Sequence, residues 1–240
     1  MLIQNIIVKI LGRRKGIRLM KTKEIEEYIS RLKNLSSCVI SDAMDKLGLK
    51  SVMNSSIRPI KSGITIAGQV VTVKSIKKEK IIESDYSKYT NILNEVTDGT
   101  EPGKIIIIDA DGDTECASWG GNRSLAAKLR KIGGVIIDGA ARDYKEITEM
   151  DFPVFCKNTI PPKSKDRLIT IDYNIPVVCG GILIHPGDFV IGDDDGIAVI
   201  PANRISDILE LAEDIENKER KIVEYLKAGH KFSEAVEKFK

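Results

Sequence analysis

The run Lys104-Ile105-Ile106-Ile107-Ile108-Asp109 constrains the fold more than any other segment. Four consecutive isoleucines leave no polar face for water, so the run reads as a strand covered on both sides, the kind found in parallel α/β sheets. A helix-length stretch, Ser124 to Ile132, places Leu125, Ala126, Leu129 and Ile132 on one face, and Gly133-Gly134 stops it before a second apolar run, Val135-Ile136-Ile137. Strand, loop, helix and strand in that order imply a parallel crossover, right-handed by default. The 240 residues, 42% of them hydrophobic, suffice for a full core, so one α/β domain with terminal additions is expected.

Before this unit, apolar residues at helical spacing from Thr22 to Leu47 predict two helices broken near Asn34-Leu35-Ser36-Ser37, with Ser36 or Ser37 capping the second and Gly48 ending it. Thr65 to Val73 reads as a strand, Asn91 to Val96 as a short helix, and Pro102-Gly103 as a turn. Beyond Ile137, Tyr144 to Met150 reads as a helix. Pro153 to Cys156, Ile175 to Val178, Ile182 to Ile184 and Ile197 to Ile200 read as strands, and Arg204 to Leu226 as a long helix. The expected division is a basic extension over 1–20, an α/β domain over 21–203 and a helical extension over 204–240. Met20 is a second candidate start, and the basic segment before it is an appendage or an amphipathic surface helix.

Lys and Arg number 37 against 35 Asp and Glu, a balance that argues against a broad nucleic-acid surface. No stretch approaches the roughly 20 apolar residues of a membrane span. The four cysteines, Cys38, Cys116, Cys156 and Cys179, lack metal or redox spacing, which points to reduced thiols in the cytoplasm.

The chemistry is concentrated in two short segments. Trp119-Gly120-Gly121-Asn122-Arg123-Ser124 reads as a loop opening onto a helix N-terminus, where unpaired N–H groups and the helix dipole attract a carboxylate or phosphate. The plainer reading is a tight turn with Asn122 as the cap. Gly139-Ala140-Ala141-Arg142-Asp143 places a guanidinium and a carboxylate just past a buried strand, where open α/β sheets bind ligands. Arg142 suits an anion and Asp143 a hard divalent cation such as magnesium, which accepts one or two protein carboxylates and keeps its waters. Alone, the pair also fits a surface ion pair. Asp193-Asp194-Asp195-Gly196 reads as a solvated turn, His185 as a strand-end residue, and Trp119 as core or pocket wall. No dinucleotide, P-loop or nucleophile-elbow motif occurs.

Ala117-Ser118-Trp119-Gly120-Gly121-Asn122, then Gly133 to Gly139, Arg142-Asp143 and Pro153-Val154-Phe155, resemble the RraA-like family of 4-hydroxy-4-methyl-2-oxoglutarate aldolases, oxaloacetate decarboxylases and regulators of ribonuclease E activity. Ser41-Asp42-Ala43, Arg58-Pro59, Ala67-Gly68, Pro102-Gly103 and Pro186-Gly187-Asp188 extend the similarity, which runs from about Leu35 to Gly229. The resemblance implies a swivelling β/α fold with parallel and mixed sheet, N-terminal helices and a long C-terminal helix, assembled as a homotrimer or homohexamer. It implies a lyase that cleaves a small 2-oxo acid through a pyruvate enolate stabilised by Mg²⁺ or Mn²⁺. Arg142 then binds the oxo-acid end, Asp143 the metal, and the amides from Gly121 to Arg123 the carboxylate, with Gly120 also among the substrate-binding residues. Glu219, in the terminal helix, matches a residue supplied by a neighbouring subunit. One departure is Gly121, which stands where the family's aldolases carry an acid that helps to position water. That ranks decarboxylation above aldol cleavage, since loss of carbon dioxide requires no base to remove a hydroxyl proton. The rival implication is a non-catalytic regulator that binds a protein such as an RNase.

Overall fold

The computed structural model describes residues 20–80, 89 and 91–239; most of the basic N-terminal segment falls outside them. Helices α1 (Thr22–Leu32) and α2 (Ser37–Lys46) come first, and Ser36 caps α2 by accepting a hydrogen bond from the Val39 amide at 3.2 Å. Gly48 follows α2 with φ +71, a conformation that glycine adopts without steric cost. Strands β1 (Arg58–Pro59) and β2 (Ile66–Lys77) lead to α3 (Ile92–Gly99) and β3 (Ile105–Asp109). Next come β4 (Ala117–Trp119), α4 (Gly121–Leu129), β5 (Gly134–Ala141), α5 (Tyr144–Glu149) and β6 (Val154–Thr159). Strands β7 (Leu168–Tyr173), β8 (Val177–Cys179), β9 (Ile182–Ile184), β10 (Phe189–Asp193) and β11 (Gly196–Ile200) precede helices α6 (Ile205–Lys227) and α7 (Phe232–Lys238).

The main sheet runs β1-β6-β5-β3-β2-β10-β11, with β4 paired to β5 and β7 to β2. Its centre, β2, β3, β5 and β6, is parallel, whereas β1, β7, β10 and β11 join antiparallel, giving the mixed sheet that the sequence implies. Every residue of β3 and of β5 is buried, as the isoleucine run requires. Ile106 and Ile108 pack with Trp119 and Phe152 in one apolar cluster, while Ile105 and Ile107 pack with Phe155 and Val190 in another. A third cluster joins α1, α2 and α6 to β10 and β11.

Several boundaries differ from the sequence reading. Helix α4 starts at Gly121, three residues before the expected Ser124, and ends at Leu129. Its buried positions include Ser124 and Ala127, whereas Leu125 and Leu129, expected to face the core, are exposed. Strand β2 continues to Lys77, and β5 runs past Ile137 to Ala141, beyond the apolar runs that mark their starts. Strands β4, β7 and β10 and helix α7 were not read from the sequence.

Candidate active site

The parallel pairing of β4 with β5 brings the two chemical segments together. Trp119 is in register with Ala141, and the Arg142 amide donates to the Trp119 carbonyl at 3.0 Å. The chain leaving β4 enters α4 beside the chain leaving β5. Gly120 is the N-cap of α4, so Asn122 does not cap the helix. Ser124 Oγ donates back to the Gly120 carbonyl at 3.1 Å and accepts from Trp119 Nε1 at 2.8 Å, which holds the buried indole against the first turn. Phe152 stacks on the indole with centroids 6.5 Å apart.

Asp143 has φ +61, a left-handed conformation that aspartate tolerates better than most side chains. It precedes α5 as N-cap, yet its side chain makes no capping bond. Instead Asp143 Oδ2 accepts the Gly121 amide at 3.0 Å, the first free N–H of α4. Arg142 Nε lies 3.2 Å from both carboxylate oxygens, and the two side chains are 37% and 27% exposed, so both remain open to a ligand. The amides of Asn122 and Arg123 have no acceptor among the described residues, while the amide of Ser124 begins the helical ladder on the Gly120 carbonyl. Of the amides expected to hold an anion, that of Gly121 is therefore engaged and those of Asn122 and Arg123 remain.

Gly120 is fixed by close approach. A Cβ there would meet Asp143 Oδ2 at 2.7 Å and Arg142 Cγ at 3.0 Å, so a side chain would displace the pair. These groups border a cavity of about 610 Å³, walled also by Asn94, Thr97, Asp98, Ser118, Trp119 and Lys163. The Arg123 guanidinium is directed away from ligand duty. It donates to the Leu93 carbonyl and Thr97 Oγ1 at 3.0 Å and to Asn94 Oδ1 at 2.9 Å, and stands 5.7 Å from the Trp119 ring. Its burial lowers its pKa from the ordinary arginine value.

Glu219 lies exposed on α6 and does not border this cavity. The remaining candidates are structural. The acidic triplet is the turn the sequence suggests, with Asp194 and Asp195 exposed, and it also ties down neighbouring segments: Asp193 Oδ2 accepts the Ser37 amide at 2.8 Å and Asp194 Oδ2 that of Gly63 at 2.9 Å. His185 is tied through its amide to Asp188 Oδ2 at 2.8 Å. Cys116, Cys156 and Cys179 are buried free thiols. Burial pushes Cys116 and Cys156 up to about 11 and raises Cys179 as well, which leaves these sulfurs protonated and poorly nucleophilic at neutral pH. Among the described residues no helix is long and apolar enough to cross a membrane.

The family model for RraA-like proteins, described as Aldolase/RraA, matches residues 37–199, more than half of the chain and the whole region that builds this cavity. The chain belongs to the RraA-like family. A Halalkalibacterium halodurans protein named "Putative 4-hydroxy-4-methyl-2-oxoglutarate aldolase" is 32% identical over 221 residues, covering 90% of this chain and 98% of that protein. Protein DlpA of Legionella pneumophila is 28% identical over 92% of this chain, which spans only 35% of DlpA. Among solved structures, Streptomyces coelicolor RraAS2, titled an unusual member of the RNase ES inhibitor RraA protein family, superposes with a TM-score of 0.73. It is 26% identical, with 81% of this RraA-like chain and 95% of that one covered.

Two contacts outside the cavity lining escaped the sequence reading. Gly121 is read there as the loss of an acid, yet the space its side chain would fill is taken by the Glu146 carboxylate. Glu146 is an exposed residue of α5 and does not line the cavity; its contact with Gly121 comes from the packing of α5 on α4. The second feature is the row Lys74, Asp109, Asp138 and Lys157 across β2, β3, β5 and β6, with Lys74 and Asp109 paired at 2.8 Å and Lys157 paired with Asp138. The row holds the β8–β9 hairpin down: Asp109 Oδ2 accepts the Val178 amide at 3.2 Å and Asp138 Oδ2 that of Gly180 at 2.7 Å.

Proposed function

We propose that this RraA-like chain is a divalent-metal-dependent lyase that cleaves a carbon–carbon bond of a small 2-oxo acid, oxaloacetate above a 4-hydroxy-2-oxo acid. One observation carries the reading: Arg142 and Asp143 meet the first turn of α4 at a cavity, with Gly121 N 3.0 Å from Asp143 Oδ2. The aldolase name of the Halalkalibacterium relative supports the same class of reaction.

The donor chemistry suits a hard cation. Asp143 offers oxygen only, and no cysteine lines the cavity among the described residues. One carboxylate with several waters is a common magnesium environment and an inadequate zinc one. Bound there, Mg²⁺ or Mn²⁺ supplies positive charge to substrate oxygens. The free amides of Asn122 and Arg123 receive the substrate carboxylate, and the Arg142 guanidinium faces the oxygen on which charge develops as the bond breaks. Glu219 belongs to this scheme only as a residue of a neighbouring copy. The protein should release pyruvate from oxaloacetate with Mg²⁺ above the metal-only background, and Asp143→Asn should lose that release; equal rates would contradict the reading.

The likeness to RraAS2 supports a second reading, a regulator that binds an RNase. Co-purification of an RNase with both the wild-type and Arg142→Ala proteins, without pyruvate release by either, would favour it.

A further inference from the structure

The first turn of α4 carries a guanidinium that no acid balances among the described residues. Arg123 is half-buried on the cavity wall, and its hydrogen bonds all go to neutral acceptors of α3: the Leu93 carbonyl, Thr97 Oγ1 and Asn94 Oδ1. Buried Thr97 donates its hydroxyl to the same Leu93 carbonyl at 2.7 Å, so α3 itself holds these acceptors in place. Asp98, the acid that acts on Arg123, is paired with Arg130 at 2.9 Å, and burial lowers the Arg123 pKa more than Asp98 raises it. Arginine still stays protonated at neutral pH. Elsewhere on the wall Arg142 has Asp143, whereas Lys163 has no ion-pair partner among the described residues, which leaves Arg123 and Lys163 in excess of the acids. Desolvating a charge without a countercharge costs stability, and a glutamine donates hydrogen bonds without that cost. What the charge offers instead is attraction for an anion.

We propose that Arg123 is a specificity-determining residue that selects anions for this cavity. Fixed on α3 without a countercharge, its guanidinium makes the wall positive, and a substrate carboxylate completes the balance that the protein leaves open. This inference rests on the lyase reading above for the identity of the anion, a 2-oxo acid. The side-chain donors of Arg123 are spent on α3, so it acts through its field and does not touch the ligand. Contact comes from the free amides of Asn122 and Arg123 in the same turn, and the clamp on α3 fixes where they point. In a partly desolvated cavity such a field is screened less than it is in water.

The test measures KM for oxaloacetate and the calorimetric Kd of pyruvate, both with Mg²⁺, for full-length wild type, Arg123→Lys, Arg123→Gln and Asn94→Asp, with a urea midpoint for each. Arg123→Gln should raise both constants about 10-fold, the order for one charge acting across a cavity at an effective dielectric of about 20, whereas Arg123→Lys should stay within about threefold of wild type. Asn94→Asp is the stricter variant. It keeps the side-chain shape that accepts from Arg123 at 2.9 Å and gives the guanidinium a carboxylate, so both constants should rise about 10-fold while the urea midpoint stays at or above wild type. A role confined to holding α4 on α3 predicts the opposite, since a charged pair tightens that clamp. Constants within about twofold of wild type in Arg123→Gln or in Asn94→Asp overturn the inference and leave the lyase reading standing. A wild type that binds pyruvate without cleaving oxaloacetate overturns the lyase reading, and the inference then stands or falls by the Kd values. A wild type that neither binds pyruvate nor cleaves oxaloacetate overturns both.

Discussion

At the scale of single residues, the site depends on what is absent as much as on what is present. Gly120 lets Asp143 Oδ2 and Arg142 Cγ come within 2.7 and 3.0 Å of a missing Cβ. Gly120→Ala should therefore lower kcat/KM about 100-fold through a displacement of the pair near 1 Å, while its urea midpoint stays close to wild type because flexible side chains can yield. A variant with wild-type kcat/KM would show that the pair is not held in place by this contact. Arg142, Asp143 and the glycine loop were legible because each type has few uses in that position: a guanidinium past a buried strand, glycines before a helix. Glu146 was not. Its contact with Gly121 arises from the packing of α5 on α4, and no periodicity in one segment reports what a second segment places against it.

The same division holds for elements. Runs of isoleucine and valine announce β3 and β5, and Ser36 announces α2, because continuous burial and N-capping leave local marks. Strand β7 does alternate over Ile169-Thr170-Ile171-Asp172-Tyr173, a mark the sequence reading passed over, whereas strand β10 carries a weaker one, since FVIGD contains a glycine and ends in the acidic triplet. Strand β4 has three residues, too few for a pattern. The acidic triplet forms the exposed β10–β11 turn that its composition suggests, and only its first residue adds a contact that the sequence does not announce: Asp193 accepts the Ser37 amide at 2.8 Å and Ser37 Oγ at 2.6 Å, anchoring the start of α2. Asp193→Ala should cost about 1–2 kcal/mol in urea unfolding, the range of a lost cap, and a change near zero would refute that anchoring role. Arg31 joins α1 to α6 by donating to both oxygens of Glu213 at 2.7 and 2.9 Å, which holds the Glu213 carboxyl below the ordinary glutamate range. A lowered carboxylate pKa contributes stability above the unfolded-state value and loses it as pH falls through the folded value. Comparison of wild type with Glu213→Gln should show a difference below about 1 kcal/mol at neutral pH, since the pair is partly solvated, and none in acid below the folded value. A difference that grows on acidification would contradict this assignment.

At the scale of the whole molecule, the parallel centre of the sheet sets where the chemistry lies, and the surface around it suggests what completes it. Leu125 and Leu129 on α4 are 47% and 75% exposed, and Tyr144 on α5 is 54% exposed, large apolar side chains on the two helices that follow β4 and β5. Glu219 is remote from the cavity of its own chain, so its proposed role requires a second copy. Light scattering should give a mass three or six times 26.5 kDa, and a strictly monomeric protein with full lyase activity would remove Glu219 from the scheme. The family and the α/β class were legible in the ordered spacing of motifs; the exposure of Leu125 and Leu129 was not, because an exposed leucine has the same letter as a buried one. The most direct test of the central claim is the rate of pyruvate release from oxaloacetate by wild type and Asp143→Asn at saturating Mg²⁺. Convergence of Arg142, Asp143 and the α4 amides on one substrate predicts release by wild type and a fall to the metal-only background in the variant. Equal release by the two proteins would contradict it.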